Sequence, residues 1–207
     1  MTPGKRALDL TLAAILTILL APVILAVVMV LLASQGRPLL YRSERMRGVG
    51  DPFRLWKFRS MRPDAGDRGV TGGDKSDRIT PAGRWLRRTR LDELPQLWNV
   101  IRGDISFVGP RPPLRVYVED YPDLYAEVLR SRPGITGLAT LYFHAHEERL
   151  LADCADRAET DAVYRRRCVP RKARIDRIYT ARRSVCFDLI LMARTAGRML
   201  GRLGDSA

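Results

Sequence analysis

The densest cluster of reactive side chains is Arg87-Arg88-Thr89-Arg90-Leu91-Asp92-Glu93-Leu94-Pro95-Gln96. Two adjacent carboxylates follow three arginines, a combination suited to chemistry on a phosphate. At a helix start, neighbours i and i+1 diverge by about 100°, so the two acids take different roles. One can act as nucleophile or base while the other holds a cation. Acidic residues also favour helix starts for electrostatic reasons alone, so the pair needs support from elsewhere. Two stiff turns supply it. Gly109-Pro110-Arg111-Pro112-Pro113 fixes an arginine between prolines, with little conformational entropy left to lose. A guanidinium fork held that way suits bidentate phosphate recognition. Arg132-Pro133-Gly134-Ile135-Thr136-Gly137 sets a second arginine beside glycines, which allow backbone N–H groups close to an anion.

Other reactive residues carry weaker signals. His144-x-His146 could chelate a metal, but no third ligand stands at a familiar spacing, so structural or solvated histidines are expected. Cys154, Cys168 and Cys186 lie far apart without a CxxC pair, which excludes a disulfide scaffold or zinc ribbon. They read as reduced, structural thiols of a cytosol-facing protein.

The elements that must position these groups begin with a membrane signal. Residues 10–36 contain no charged side chain, a stretch longer than the roughly 20 residues that cross a hydrocarbon core. It lacks the short apolar region and cleavage site of a signal peptide. Pro22 sits at its centre and interrupts helical hydrogen bonding. Both flanks are basic: Lys5 and Arg6 before it, Arg37, Arg42, Arg45 and Arg47 among those after it. Basic flanks prefer the cytoplasmic face, so a helix that breaks at Pro22 and leaves by the leaflet it entered satisfies both. Asp9 would then pair with Lys5 or Arg6 at the interface. A kinked spanning helix is the competing expectation.

After this segment, residues 39–41 and 53–58 read as short β-prone runs. Residues 63–78, rich in Gly and Asp, read as a mobile loop and candidate lid. Thr80-Pro81 predicts a helix N-cap followed by proline at the first position. Helical spacing marks 91–102, 116–129, 160–179 and 187–203. The last carries Arg194, Arg198 and Arg202 at four-residue intervals on an apolar helix, which fits equally a helix lying on an anionic membrane and a C-terminal helix packed on the core with solvated arginines. The expected fold is α+β and mostly helical. It comprises a membrane helix over 1–36 and a small cytosolic domain over 37–207 with interfacial amphipathic helices.

The whole chain of 207 residues carries 36 Lys+Arg against 23 Asp+Glu, a net charge of +13. Such an excess calls for nucleic acid, an anionic membrane surface or a phosphate-rich substrate. A membrane-tethered nucleic-acid-binding protein would need a recognition helix or interleaved aromatic and basic residues. The arginines instead stand beside Pro, Gly and carboxylates, so no nucleic-acid partner is expected.

The ordered set Lys5-Arg6…Asp9, the proline-broken apolar segment, Trp56-Lys57-Phe58-Arg59-Ser60-Met61, Thr80-Pro81-x-Gly83-Arg84, Leu91-Asp92-Glu93-Leu94-Pro95-Gln96-Leu97-Trp98-Asn99-Val100, Gly103-Asp104-x-Ser106-x-Val108-Gly109-Pro110-Arg111-Pro112 and Arg132-Pro133-Gly134-Ile135-Thr136-Gly137 resembles the bacterial sugar transferases. These are the monotopic phosphoglycosyl transferases, and the likeness covers almost the full chain. The resemblance implies transfer of a sugar 1-phosphate from a UDP-sugar to polyprenyl phosphate at the cytoplasmic face of the bacterial inner membrane, with release of UMP. It implies Asp92 as nucleophile, through a covalent phosphosugar intermediate, and Glu93 with Asp92 at a Mg²⁺ site. A single direct displacement with Asp92 as base is the alternative mechanism. Lys57, Arg87 and Arg111 match basic positions that bind the diphosphate, and Asp176 and Asp188 match acidic positions near the site. Two departures stand out. The family's Ser-Pro break is here Ala21-Pro22. A Trp-Ala-Gln-Val-Asn-Gly-Arg type segment is replaced by Leu138-Ala139-Thr140-Leu141-Tyr142-Phe143-His144.

Overall fold

The computed structural model describes residues 1–62 and 78–204, mostly helical with two small sheets. The candidate lid over 63–78 lies, apart from Arg78, outside the described residues. Two helices open the chain, α1 (Pro3–Leu19) and α2 (Ala21–Gln35), bent by 60° at a break of one residue. Pro22 explains the break, since its ring and missing N–H cannot continue the α1 ladder. Among the described residues no single helix is long and apolar enough to cross a membrane, although this bent pair passes the test together. Large apolar side chains stand out from both, Ile18 at 77%, Leu19 at 67% and Leu25 at 63% exposed. An uncovered surface of that size marks an apolar partner.

The first turns of α1 plug into the rest of the protein. Arg6 donates through both guanidinium NH₂ groups to the carbonyls of Val100 and Ile101, each at 2.6 Å. Asp9 Oδ1 accepts from the Ser106 hydroxyl at 3.0 Å and the Phe107 N–H at 3.3 Å. Lys5 Nζ donates to Val108 O at 3.0 Å and pairs with Asp188. The expected pairing of Asp9 with Lys5 or Arg6 is therefore corrected. All three groups find partners more than 90 positions away in the chain, which fix α1 against the site-bearing elements, although Asp9 Oδ2 is buried without a hydrogen-bond partner.

A hairpin follows, β1 (Leu40–Gly48) and β2 (Asp51–Phe58), longer than the sequence runs suggest. Its inner face carries Phe53, Leu55 and Lys57, opposite Arg45, Ser43 and Tyr41 in the register. Next come α3 (Pro81–Thr89), capped as expected by Thr80 accepting from Gly83 N–H at 2.9 Å, and α4 (Gln96–Arg102). The helix expected over 91–102 starts only at Gln96. Residues Leu91–Glu93 form a separate 3₁₀ turn after Arg90, whose positive φ of 59° turns the chain. Pro95, without an N–H, prevents one continuous ladder. The expected helix over 116–129 likewise divides at Pro122 into α5 (Arg115–Asp120) and α6 (Pro122–Val128).

Between these lie β3 (Ser106–Val108) and, after α6, β4 (Gly134–Thr136), a parallel pair. Here the glycine reading is corrected. Gly134 and Gly137 do not open space for an anion but let two backbones touch. A Cβ on Gly134 would sit 2.2 Å from Gly109 N, and one on Gly137 2.1 Å from Gly109 O. The chain ends in α7 (Leu138–Ala152), α8 (Arg157–Val163), a π turn at Tyr164–Cys168, α9 (Val169–Arg182) and α10 (Val185–Gly204). The main core gathers Phe53, Leu55, Leu97, Val100, Ile105 and Tyr179 under the β3–β4 pair.

Candidate active site

Asp92 and Glu93 sit on the 3₁₀ turn between α3 and α4, and β2 brings Lys57 to them. Strand alternation places Lys57 on the same inward face as Phe53 and Leu55, which bury the hairpin. Its Nζ meets Glu93 Oε1 at 2.7 Å. Arg111, projecting from the proline-braced turn after β3, reaches the same oxygen at 3.5 Å, and Arg90 lies at 3.9 Å. One carboxylate oxygen thus gathers three cations. Burial pushes the Glu93 carboxyl up, but Lys57, Arg111 and Arg90 outweigh it and hold it at about 2. Glu93 stays ionised at every working pH.

Asp92 is the opposite case. It is 7% exposed, and its Oδ1 is buried without any hydrogen-bond partner. Burial raises its pKa, opposed by Lys57 and reinforced by Glu93. A buried carboxylate oxygen with no donor costs free energy, and its lone pairs are free to engage phosphorus or a cation. Arg87 bonds Met61 Sδ at 3.2 Å and acts on Asp92 by charge.

The sequence-marked residues separate into groups. Asp92, Glu93, Lys57 and Arg111 converge, with Arg87 at their edge. Asp188 instead belongs to the buried tie of α1, paired with Lys5 and accepting from Tyr179 OH at 2.7 Å. Asp176, 5% exposed, accepts the N–H of Ala139 in the first turn of α7, where helix geometry favours an anion. Its other oxygen, Oδ1, has no partner. The two histidines turn apart on α7. His144 Nε2 lies 3.4 Å from both Arg90 and Glu148, whereas His146 meets Arg171 at 3.0 Å. No group of three or more His, Cys, Asp or Glu positioned for a metal occurs among the described residues.

Asn99 has a positioning role that its sequence position does not announce. Fully buried on α4, it accepts from Trp56 N–H at 3.0 Å and donates to Arg54 O at 2.8 Å and Asp104 Oδ2 at 3.0 Å. It locks α4 to the strand segment just before Lys57. An asparagine among the apolar positions of a helix is the one signal that could have found it.

Asp176 yields a pH-dependence. Burial, opposed by Lys172 and the Ala139 N–H, lifts its carboxyl to about 7. The unfolded chain titrates near 3.9. Between these values the folded protein holds a proton the unfolded chain has released, so stability falls as pH rises through that window. Asp176→Asn should remove this slope, its melting-temperature advantage over wild type being larger at about pH 8 than at about pH 5. Equal differences at both pH values would contradict the assignment.

The profile of the bacterial sugar transferases matches residues 2–202. The chain belongs to the bacterial sugar transferase family. The UDP-glucose:undecaprenyl-phosphate glucose-1-phosphate transferase of Escherichia coli K12 is 38% identical over 164 residues, covering 77% of this chain and 35% of that protein. The Caulobacter vibrioides enzyme of the same name is 44% identical over 142 residues, covering 65% of the chain and 52% of the relative. A putative undecaprenyl-phosphate N-acetylgalactosaminyl 1-phosphate transferase of Bacillus subtilis is 43% identical over 119 residues, covering 56% of the chain and 66% of the relative. This family member thus spans a third to a half of the length of the first two relatives.

Proposed function

We propose that this protein transfers a sugar 1-phosphate from a UDP-sugar to a polyprenyl phosphate, such as undecaprenyl phosphate, and releases UMP. The observation that carries the reading is the pairing of a buried, unbonded Asp92 oxygen with three cations gathered on Glu93. Asp92 attacks the β-phosphorus, forming an O–P bond while the bond to the UMP oxygen breaks. A phosphate oxygen of the lipid then attacks the same phosphorus, and the aspartyl bond breaks to free Asp92. Dividing the transfer this way is what a carboxylate nucleophile offers. Lys57, Arg87 and Arg111 balance the diphosphate charge. Cations preset in this way would stabilise charge as it shifts to the leaving group.

The donor set also suits Mg²⁺, which takes one or two carboxylates and completes its shell with phosphate oxygens and water. Asp92, with its unbonded oxygen, and Glu93 would hold it. The ion would supply neutralisation of charge on the departing phosphate. The test is UMP release from a panel of UDP-sugars with undecaprenyl phosphate and Mg²⁺. Release with at least one sugar is expected, and a flat panel would sink the reading.

The same reading sets the topology. The 1–36 segment enters and leaves the cytoplasmic leaflet of the inner membrane, and the 37–207 domain rests on that face beside anionic lipids. Basic flanks, the 60° bend and the exposed apolar side chains support this arrangement. A cysteine at position 2, in a background lacking Cys154, Cys168 and Cys186, should resist an impermeant thiol reagent outside intact cells. Labelling from outside would mean a spanning segment.

A further inference from the structure

Arg45 is a cation facing inward without a counter-charge. It pairs across the hairpin with Phe53 and so shares the inner face with Leu55 and Lys57, where an apolar side chain is the ordinary occupant. Its Nε donates to Ser43 Oγ at 3.2 Å and its Nη1 reaches Pro112 O at 3.5 Å, both neutral acceptors. The charged group acting most strongly on it is another cation, Arg111, and burial together with that repulsion lowers its guanidinium to about 10. Arg45, Lys57, Gln96 and Arg111 line one cleft between the hairpin, the start of α4 and the Pro110–Pro112 turn.

The cations also follow an order. Lys57 acts on both Asp92 and Glu93, Arg111 acts on Glu93, and Arg45 faces Arg111. The series runs away from the attacking carboxylate. Glu93 and Asp92 act on Lys57, and Glu93 and Glu147 on Arg111, whereas no carboxylate is among the groups acting on Arg45, so the Arg45 end of the cleft is the one that wants an anion. We propose that Arg45 binds the phosphate that remains on the nucleoside, the one that departs in UMP. The assignment rests on the UDP-sugar reading above and adds a residue and a direction to it. The sugar would lie toward Asp92.

The experiment measures UMP binding by calorimetry, and steady-state kinetics, on the full chain in detergent, as wild type, R45Q and R45K. Loss of a charge-assisted contact predicts that R45Q weakens UMP by about tenfold or more, with R45K intermediate because the fork is lost but the charge kept. KM for the UDP-sugar should rise in step, while kcat and the KM for undecaprenyl phosphate hold. The nucleotide-free melting temperature of R45Q should match or exceed that of wild type, because an unpaired inward charge disappears. Wild-type affinity for UMP in R45Q would overturn the proposal. So would a rise confined to the lipid phosphate KM, which moves Arg45 to the acceptor, or a drop in kcat alone, which moves it to the transferred phosphorus. A melting temperature lowered in both variants would make Arg45 structural. Each of these outcomes leaves the wild-type UMP-release test standing, so the two claims fail separately.

Discussion

Asp92→Asn is expected to reduce UMP release by at least about a thousandfold while leaving the protein as stable as wild type or more so. The substitution keeps the shape of the side chain but removes the charge that the proposed mechanism uses to attack phosphorus. Stability should not suffer, because Asp92 Oδ1 is buried without a donor and burial already disfavours the ionised form. Inactivity without destabilisation distinguishes a nucleophile from a structural acid. Near-wild-type turnover in a variant verified free of deamidation would remove Asp92 from the chemistry.

Glu93→Gln should also lose most activity, but with the opposite effect on stability. Its oxygen is the common partner of Lys57, Arg111 and Arg90, and both ends of the Lys57 pair are largely buried, at 20% and 11% side-chain exposure. Neutralising it strands a buried ammonium between two guanidinium groups, for which a cost of about 3 kcal/mol is reasonable. The melting temperature should fall, and more Mg²⁺ should be needed for half-maximal rate. A variant with wild-type stability would show that the three cations do not depend on Glu93. Unchanged metal dependence would remove Glu93 from the metal site. Adjacent carboxylates thus separate by sign: one is costly to keep charged, the other costly to lose.

The sequence makes the chemistry easier to locate than the geometry that holds it. Asp92, Glu93 and Arg111 can be named from residue types and turn stiffness, because prolines and clustered charge are local signals, whereas Lys57 is named only through the family resemblance. The Thr80 cap and α10 are local too, and both appear where periodicity and capping place them. What sequence reading misses is long-range. Lys5, Arg6 and Asp9 look like interfacial charges, yet each finds its partner across the fold in β3, α4 or α10. Gly134 and Gly137 look like an anion cradle, but their smallness serves the contact of two backbones. Asn99 leaves one local signal, an asparagine among the apolar positions of a helix, but only the register and packing reveal that it and Arg45 point inward. Prolines at 95 and 122 also divide helices that apolar spacing alone would join.

The central claim is that Asp92 carries the phosphosugar between donor and acceptor. It is tested most directly by mixing the protein with a UDP-sugar labelled in the β-phosphate, withholding polyprenyl phosphate, and locating the label by peptide mass spectrometry after rapid quenching. A phosphosugar adduct is expected on the peptide containing Asp92, absent in Asp92→Asn and discharged when undecaprenyl phosphate is added. Full turnover on adding the lipid, with no adduct trapped before it, would contradict the account and favour direct displacement.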